Sequence, residues 1–187
     1  MAMVTEMRIP AGDHKERFDY RGLHRYLITF TAARKGAPIN VKETVLLILE
    51  ALRGACQEHK FDVFAYAFLP DRLVLIVRGK AEDSDMRGLV GSFRKRVEGG
   101  EGGLPPLARR YTERVLRKTE SSRDVASGIF AMAVSAGLVR TPAEYPFQGS
   151  FVLPDPFPRK RPASPPRHRR AEGRGKRDFR PGTRRKR

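Results

Sequence analysis

Arg72 stands in the run Leu69-Pro70-Asp71-Arg72-Leu73-Val74-Leu75-Ile76-Val77, where a turn leads into a strand that is otherwise apolar on both faces. Successive strand residues point to opposite faces, so Arg72 and Val74 share one face. A guanidinium there has two readings. It is either a strand-end side chain that lays its stem along the sheet and keeps its charge in water, or a fixed planar donor for a phosphate. Two further basic groups follow, Arg94-Lys95-Arg96 and then Arg109, Arg110, Arg114 and Arg117 around Tyr111. The first is read either as a solvated helix end suited to the helix dipole or as a phosphate-contacting cluster. The second is read as phosphate-contacting.

Other chemistry finds little support. Cys56 is the only cysteine, which leaves no disulfide framework and no thiolate cluster for zinc, and it reads as a core residue. His14, His24, His59 and His168 are scattered without metal-ligand spacing. Glu82, Asp83 and Asp85 precede a helical stripe and read as capping and dipole residues. The amino-terminal stretch MAMVTEMRIPAGDHKERF has no apolar signal core, and no apolar run approaches bilayer length. A cytoplasmic protein without membrane contact is the expectation.

The 187 residues carry a formal charge of +17, which points to a polyanionic partner. Much of the excess lies at the end of the chain. From Arg159 to Arg187 there are 14 Lys or Arg against Glu172 and Asp178, among them Arg169, Arg170, Arg184, Arg185, Lys186 and Arg187. With Phe179 nearly the only apolar residue there, residues 154–187 are expected to form a disordered Arg/Pro-rich tail that binds nucleic acid through phosphates.

The elements that would position these residues follow from periodicity. Residues 1–20 read as a loose arm. HRYLITFTA, His24 to Ala32, reads as a strand, and Asn40-Val41-Lys42-Glu43 as a capping box. Val45, Ile48, Leu49, Leu52 and Cys56 follow at helical spacing. FDVFAYAFL and RLVLIV form a hairpin about Pro70-Asp71. Ser84 is expected to cap a second helix striped by Met86, Leu89, Val90, Phe93 and Val97. Thr112 to Lys118 reads as a short last strand. Ser121 is expected to cap a third helix, through Val125, Ile129 and Met132, that stops at Gly137. The order β-α-β-β-α-β-α predicts an α+β domain over 21–153: a ferredoxin-like antiparallel sheet with helices packed on one face.

Four pieces of the chain together resemble the REP-associated tyrosine transposases and related single-tyrosine HUH transposases. They are HRYLITFTA, FAYAFLPDRLVLIV, RRYTERVLR and SAGLVRTPAEYPFQGS, in the family's order and approximate spacing across about residues 20 to 153. The resemblance implies a metal site from two histidines one residue apart, which fall here at Arg72 and Val74. It also implies a nucleophilic tyrosine and a metal-completing Asn on the last helix, which fall at Gly128 and Met132. The family's chemistry uses Mg²⁺ or Mn²⁺ to polarise a phosphate while the tyrosine attacks phosphorus. All four positions depart together, so the resemblance implies a degenerate centre that has no catalytic residue and takes no metal or other cofactor.

Tyr111 is the one nearby tyrosine that could replace the nucleophile, and it reads rather as a packing aromatic. The expected function is that of a transposase-derived, nucleoid-associated DNA-binding protein, with DNA hairpins or single strands favoured over RNA. A homodimer is what the family suggests. An RNA- or ribosome-associated protein is the alternative, although the sheet lacks the aromatic signature of common RNA-recognition domains. A transposase with a displaced tyrosine is the third reading.

Overall fold

The computed structural model describes residues 18–99 and 106–153. Five strands form one antiparallel sheet: β1 (Arg25–Ala32), β2 (Phe61–Phe68), β3 (Arg72–Gly79), β4 (Leu107–Val115) and β5 (Gln148–Gly149), in the order β4-β1-β3-β2-β5. The first four give the ferredoxin-like arrangement. The tail expected at 154–187 and most of the amino-terminal arm lie outside the described residues. Tyr20, at the end of that arm, is buried, and its carbonyl accepts from Met86 N.

β3 from Leu73 to Val77 is apolar on both faces because both faces are covered, while β1 is apolar on one face and, beyond Leu27, carries Thr29 and Thr31 on the other. On one side Tyr26, Ile28, Phe30, Leu73, Leu75 and Val77 meet α1 (Lys42–Glu58) and α2 (Met86–Glu98) in the larger core. On the other, Leu27, Val74 and Ile76 meet Ala126, Ile129 and Phe130 of α3 (Ser122–Ser135). The antiparallel α+β sheet is as expected, but the helices do not all share one face. The third helix carries its own apolar stripe, and the central strands offer a second buried face to receive it. A bulge between Val63 and Ala65 shifts the alternation of β2, so that both Phe64 and Ala65 turn to the α3 side.

Several caps differ from the sequence pattern. Val41 is the N-cap of α1 and makes no side-chain cap, while Asn40 donates to Tyr145 Oη instead (3.2 Å). Asp85, not Ser84, caps α2 by accepting from the amides of Arg87 and Gly88. Ser84 is fully buried, where its Oγ donates to Lys60 O and accepts from the amides of Lys80 and Ala81. A buried hydroxyl that can serve three loop backbone groups satisfies more of the chain than one helix cap would. Ser121 caps α3 as expected, and the chain leaves that helix through Gly137 at φ +70°. The strand expected over Thr112 to Lys118 is β4, which runs from Leu107 to Val115 because Leu107 enters the core beside α2 and pairs with Ala32, and it is not the last, since β5 follows. Among the described residues no helix is long and apolar enough to cross a membrane.

Candidate nucleic-acid interface

The side of the sheet that carries α3 is the side to which Arg72 and Val74 point. α3 packs on β2 and β3 and so covers about half of that face. Val74, fully buried, lies beneath it, flanked across the strands by Ala67 and Thr29. Arg72 is exposed at the start of β3 and opposite Thr31. Its Nε donates to Asp71 Oδ1 (3.0 Å) and its Nη2 to Asp71 Oδ2 (2.6 Å). This two-pronged bond from the guanidinium holds the Asp71 carboxyl below its usual range.

The β1–β4 half of the same face is polar. Register puts Thr112 beside Thr29 and Arg114 beside Leu27; the register shifts between Phe30 and Ala32, but Arg109 and Tyr111 both face the α2 side, which turns Arg110 between them to the side of Thr112. Thr31, Arg110 and Thr112 are exposed. Sequence reasoning missed these threonines. They were read only as strand-forming residues, and their shared face is visible only once the register of three strands is known.

Tyr111 faces the other way. Its ring stacks on Phe30, with centroids 5.5 Å apart, and the Arg94 guanidinium lies 5.1 Å from its centre. Burial, with the nearby Glu113 carboxylate, pushes its hydroxyl up to about 12. A tyrosine so placed is a packing residue, and it sits across the sheet from Arg72. Arg94 itself is half-buried and donates to Ala108 O (3.3 Å), so it braces α2 against β4. Arg96 pairs with Glu58 (3.1 Å), while Lys95 is exposed and carries no ion pair among the described residues.

The basic group around β4 divides in the same way. Arg109 is exposed and lines a shallow recess with Phe93 and Val97 on the α2 side. Arg114 donates to both oxygens of Glu120 (2.6 and 2.9 Å). That carboxylate also accepts from Arg117 N (2.7 Å), and these bonds lower its pKa. Arg25 completes the corner by donating to the carbonyls of Glu120 and Arg117 and to Ser122 Oγ. Three buried or half-buried side chains thereby fix where α3 starts. The charged ends of Arg110, Arg117, Lys118 and Arg123 remain exposed without ion pairs among the described residues. Arg169, Arg170, Arg184, Arg185, Lys186 and Arg187 lie outside the described residues.

On α3, Gly128 is half-buried, and a Cβ added there would meet nothing within 4 Å. Met132, one turn on, packs against Ala133 and Leu69. Neither offers a nucleophile or a metal donor. Nor does Arg72 or Val74 supply a lone pair to a cation, so the donor set at these positions does not fit the Mg²⁺ or Mn²⁺ that the resemblance implies. Cys56 is buried in the core, which pushes its thiol up to about 12. The group of Ser92, His59 and Glu58 is not a nucleophilic triad. Ser92 Oγ lies 2.8 Å from His59 Nε2 and donates to Glu58 Oε1, so hydroxyl and carboxylate crowd the same ring nitrogen.

No family model and no curated protein matches the chain. Among solved structures, a REP-associated tyrosine transposase bound to a REP hairpin superimposes with a TM-score of 0.63 at 18% identity, over 73% of this chain and 82% of that one. A candidate transposase from Deinococcus radiodurans matches with a TM-score of 0.38 at 16% identity, over 68% of this chain and 98% of that one. The first likeness shows that this α+β fold is the fold of a REP-associated tyrosine transposase.

Proposed function

We propose that the chain is a transposase-derived DNA-binding protein that takes hairpin or single-stranded DNA on this fold and does not nick it. The observation that carries the reading is the identity of the side chains at the four positions that the family's chemistry would use. Arg72 and Val74 share the sheet face on which α3 packs, and Gly128 and Met132 lie on that helix, which supports reading them as one former centre without its donors. Phosphodiester transfer through a tyrosine needs an attacking oxygen and a stabiliser of phosphate charge. Gly128 provides no oxygen, and Tyr111 is committed to packing on the opposite face.

Binding is supported by charge and by fold. Arg110, Arg117, Lys118 and Arg123 form a run of exposed cations from β4 into α3, and the REP-associated tyrosine transposase that shares this fold is bound to a REP hairpin. Arg72 stands at the vacated ligand position with a permanent charge that needs no cofactor. A nucleoid-associated cytoplasmic location follows from this reading. Recovering the nucleic acid bound to the full chain from cells tests it. Hairpin-forming DNA supports it, and RNA without DNA would overturn it.

A further inference from the structure

The half of the sheet that α3 leaves open has a composition that says how a polyanion would lie on it. Its rungs run Thr112–Thr29–Val74 and Thr31–Arg72, with Arg110 and Arg114 on the same side of β4. Aromatic side chains are on other surfaces. Tyr26, Phe30 and Tyr111 point into the α1–α2 side, and Phe64, on the α3 side, lies over at β2 beneath the Arg78 guanidinium. Proteins that read unstacked bases do so by stacking them on aromatic rings, and among the described residues the open half-face has none. Hydroxyls and guanidinium groups instead match phosphate and sugar oxygens, which fix position without reporting sequence.

We propose that Thr31, Arg110 and Thr112, bordered by Arg72, form a platform that contacts the phosphodiester backbone of a nucleic acid without selecting its bases. The inference rests on the proposed DNA-binding function and adds to it the mode of contact and the residues. Charge complementarity names the occupant: Arg110 on the half-face, and Arg117, Lys118 and Arg123 from the end of β4 into the first turn of α3, are exposed cations, while the carboxylates of Asp71 and Glu120 are already bound to Arg72 and to Arg114. Val74 and α3 close one border of the half-face, so a strand following the platform runs along β1 and β4.

The test uses the full chain and three labelled DNA hairpins: one reference, one with its stem pairs permuted, and one with an abasic loop. Arg110→Ala and Thr112→Val should each weaken binding several-fold and by the same factor for all three. Arg110→Ala should also flatten the slope of log K against log salt by about 0.9, the loss of one phosphate contact. Lys42→Ala, which removes an equal charge at the start of α1 on the other side of the sheet, should leave affinity nearly unchanged. Two outcomes overturn the platform while leaving the DNA-binding reading in place. One is that Arg110→Ala and Thr112→Val bind like the unaltered chain, and the other is a loss confined to one hairpin sequence. Failure of the unaltered chain to bind any hairpin overturns both.

Discussion

Arg72 grips its own chain neighbour: its Nη2 lies 2.6 Å and its Nε 3.0 Å from the two carboxylate oxygens of Asp71. A phosphate has the same two-oxygen geometry, so Asp71 occupies the fork that a backbone phosphate would take. Replacing Asp71 by Asn should therefore strengthen hairpin binding, and replacing Arg72 by Ala should weaken it by about 1–3 kcal/mol, the usual worth of a charge-assisted contact. Both side chains are largely exposed, so thermal stability should move by no more than about 0.5 kcal/mol in either variant. Titrations and melting curves on the two variants check this. Lost stability with unchanged affinity would make Arg72 a strand-end residue only.

DNA cleavage should be absent. Hairpin-flanked single-stranded DNA incubated with the protein and Mg²⁺ or Mn²⁺ should stay intact on a denaturing gel, since Gly128 and Met132 supply neither nucleophile nor ligand. A covalent protein–DNA adduct would refute this, and the attached residue, Tyr111 above all, would show which oxygen had been overlooked.

α3 should tolerate and reward a side chain at Gly128. A Cβ added there meets nothing within 4 Å, so Gly128→Ala should stabilise the helix by about 1 kcal/mol in a denaturant titration. Gly137→Ala should do the opposite by about 1–2 kcal/mol, because the chain leaves the helix there at φ +70°. Equal effects at the two sites would mean that α3 ends elsewhere.

The corner at Glu120 gives a pH dependence. Its bonds to Arg117 N and Arg114 lower its pKa in the folded chain, so its stabilising contribution is complete above the ordinary carboxylate value and is lost as pH falls through the lower folded value. Glu120→Gln should flatten the acid side of the stability curve below about pH 4.5. Arg25→Ala should cost about 1.5–3 kcal/mol at neutral pH by leaving two carbonyls without their donor. An acid limb unchanged by Glu120→Gln would place the titrating group elsewhere.

The sheet was legible because its strands alternate or run apolar at strand length, as in RYLITFTA and RLVLIV, and the helices because their apolar stripes recur at helical spacing. What escaped depended on distant partners. Ser84 follows the local pattern of a cap, yet its hydroxyl is claimed by Lys60 O, 24 residues away. The two-residue β5 is too short to leave a pattern and forms because Gln148 and Gly149 pair with Ala67 and Tyr66. Reading Arg72, Val74, Gly128 and Met132 as departures rests on the neighbouring motifs that align with the family pattern. The opposite orientation of Tyr111 and the shared face of Thr29, Thr31 and Thr112 required the register of β1 with β3 and β4.

Equilibrium titration of the full chain with a labelled DNA hairpin, once in EDTA and once in Mg²⁺, tests the central claim most directly. A protein that holds DNA by fixed cations on a transposase-like fold, with no metal donors at Arg72 and Val74, should give the same dissociation constant in both. Binding that appears only with Mg²⁺, or no binding in either, would contradict it.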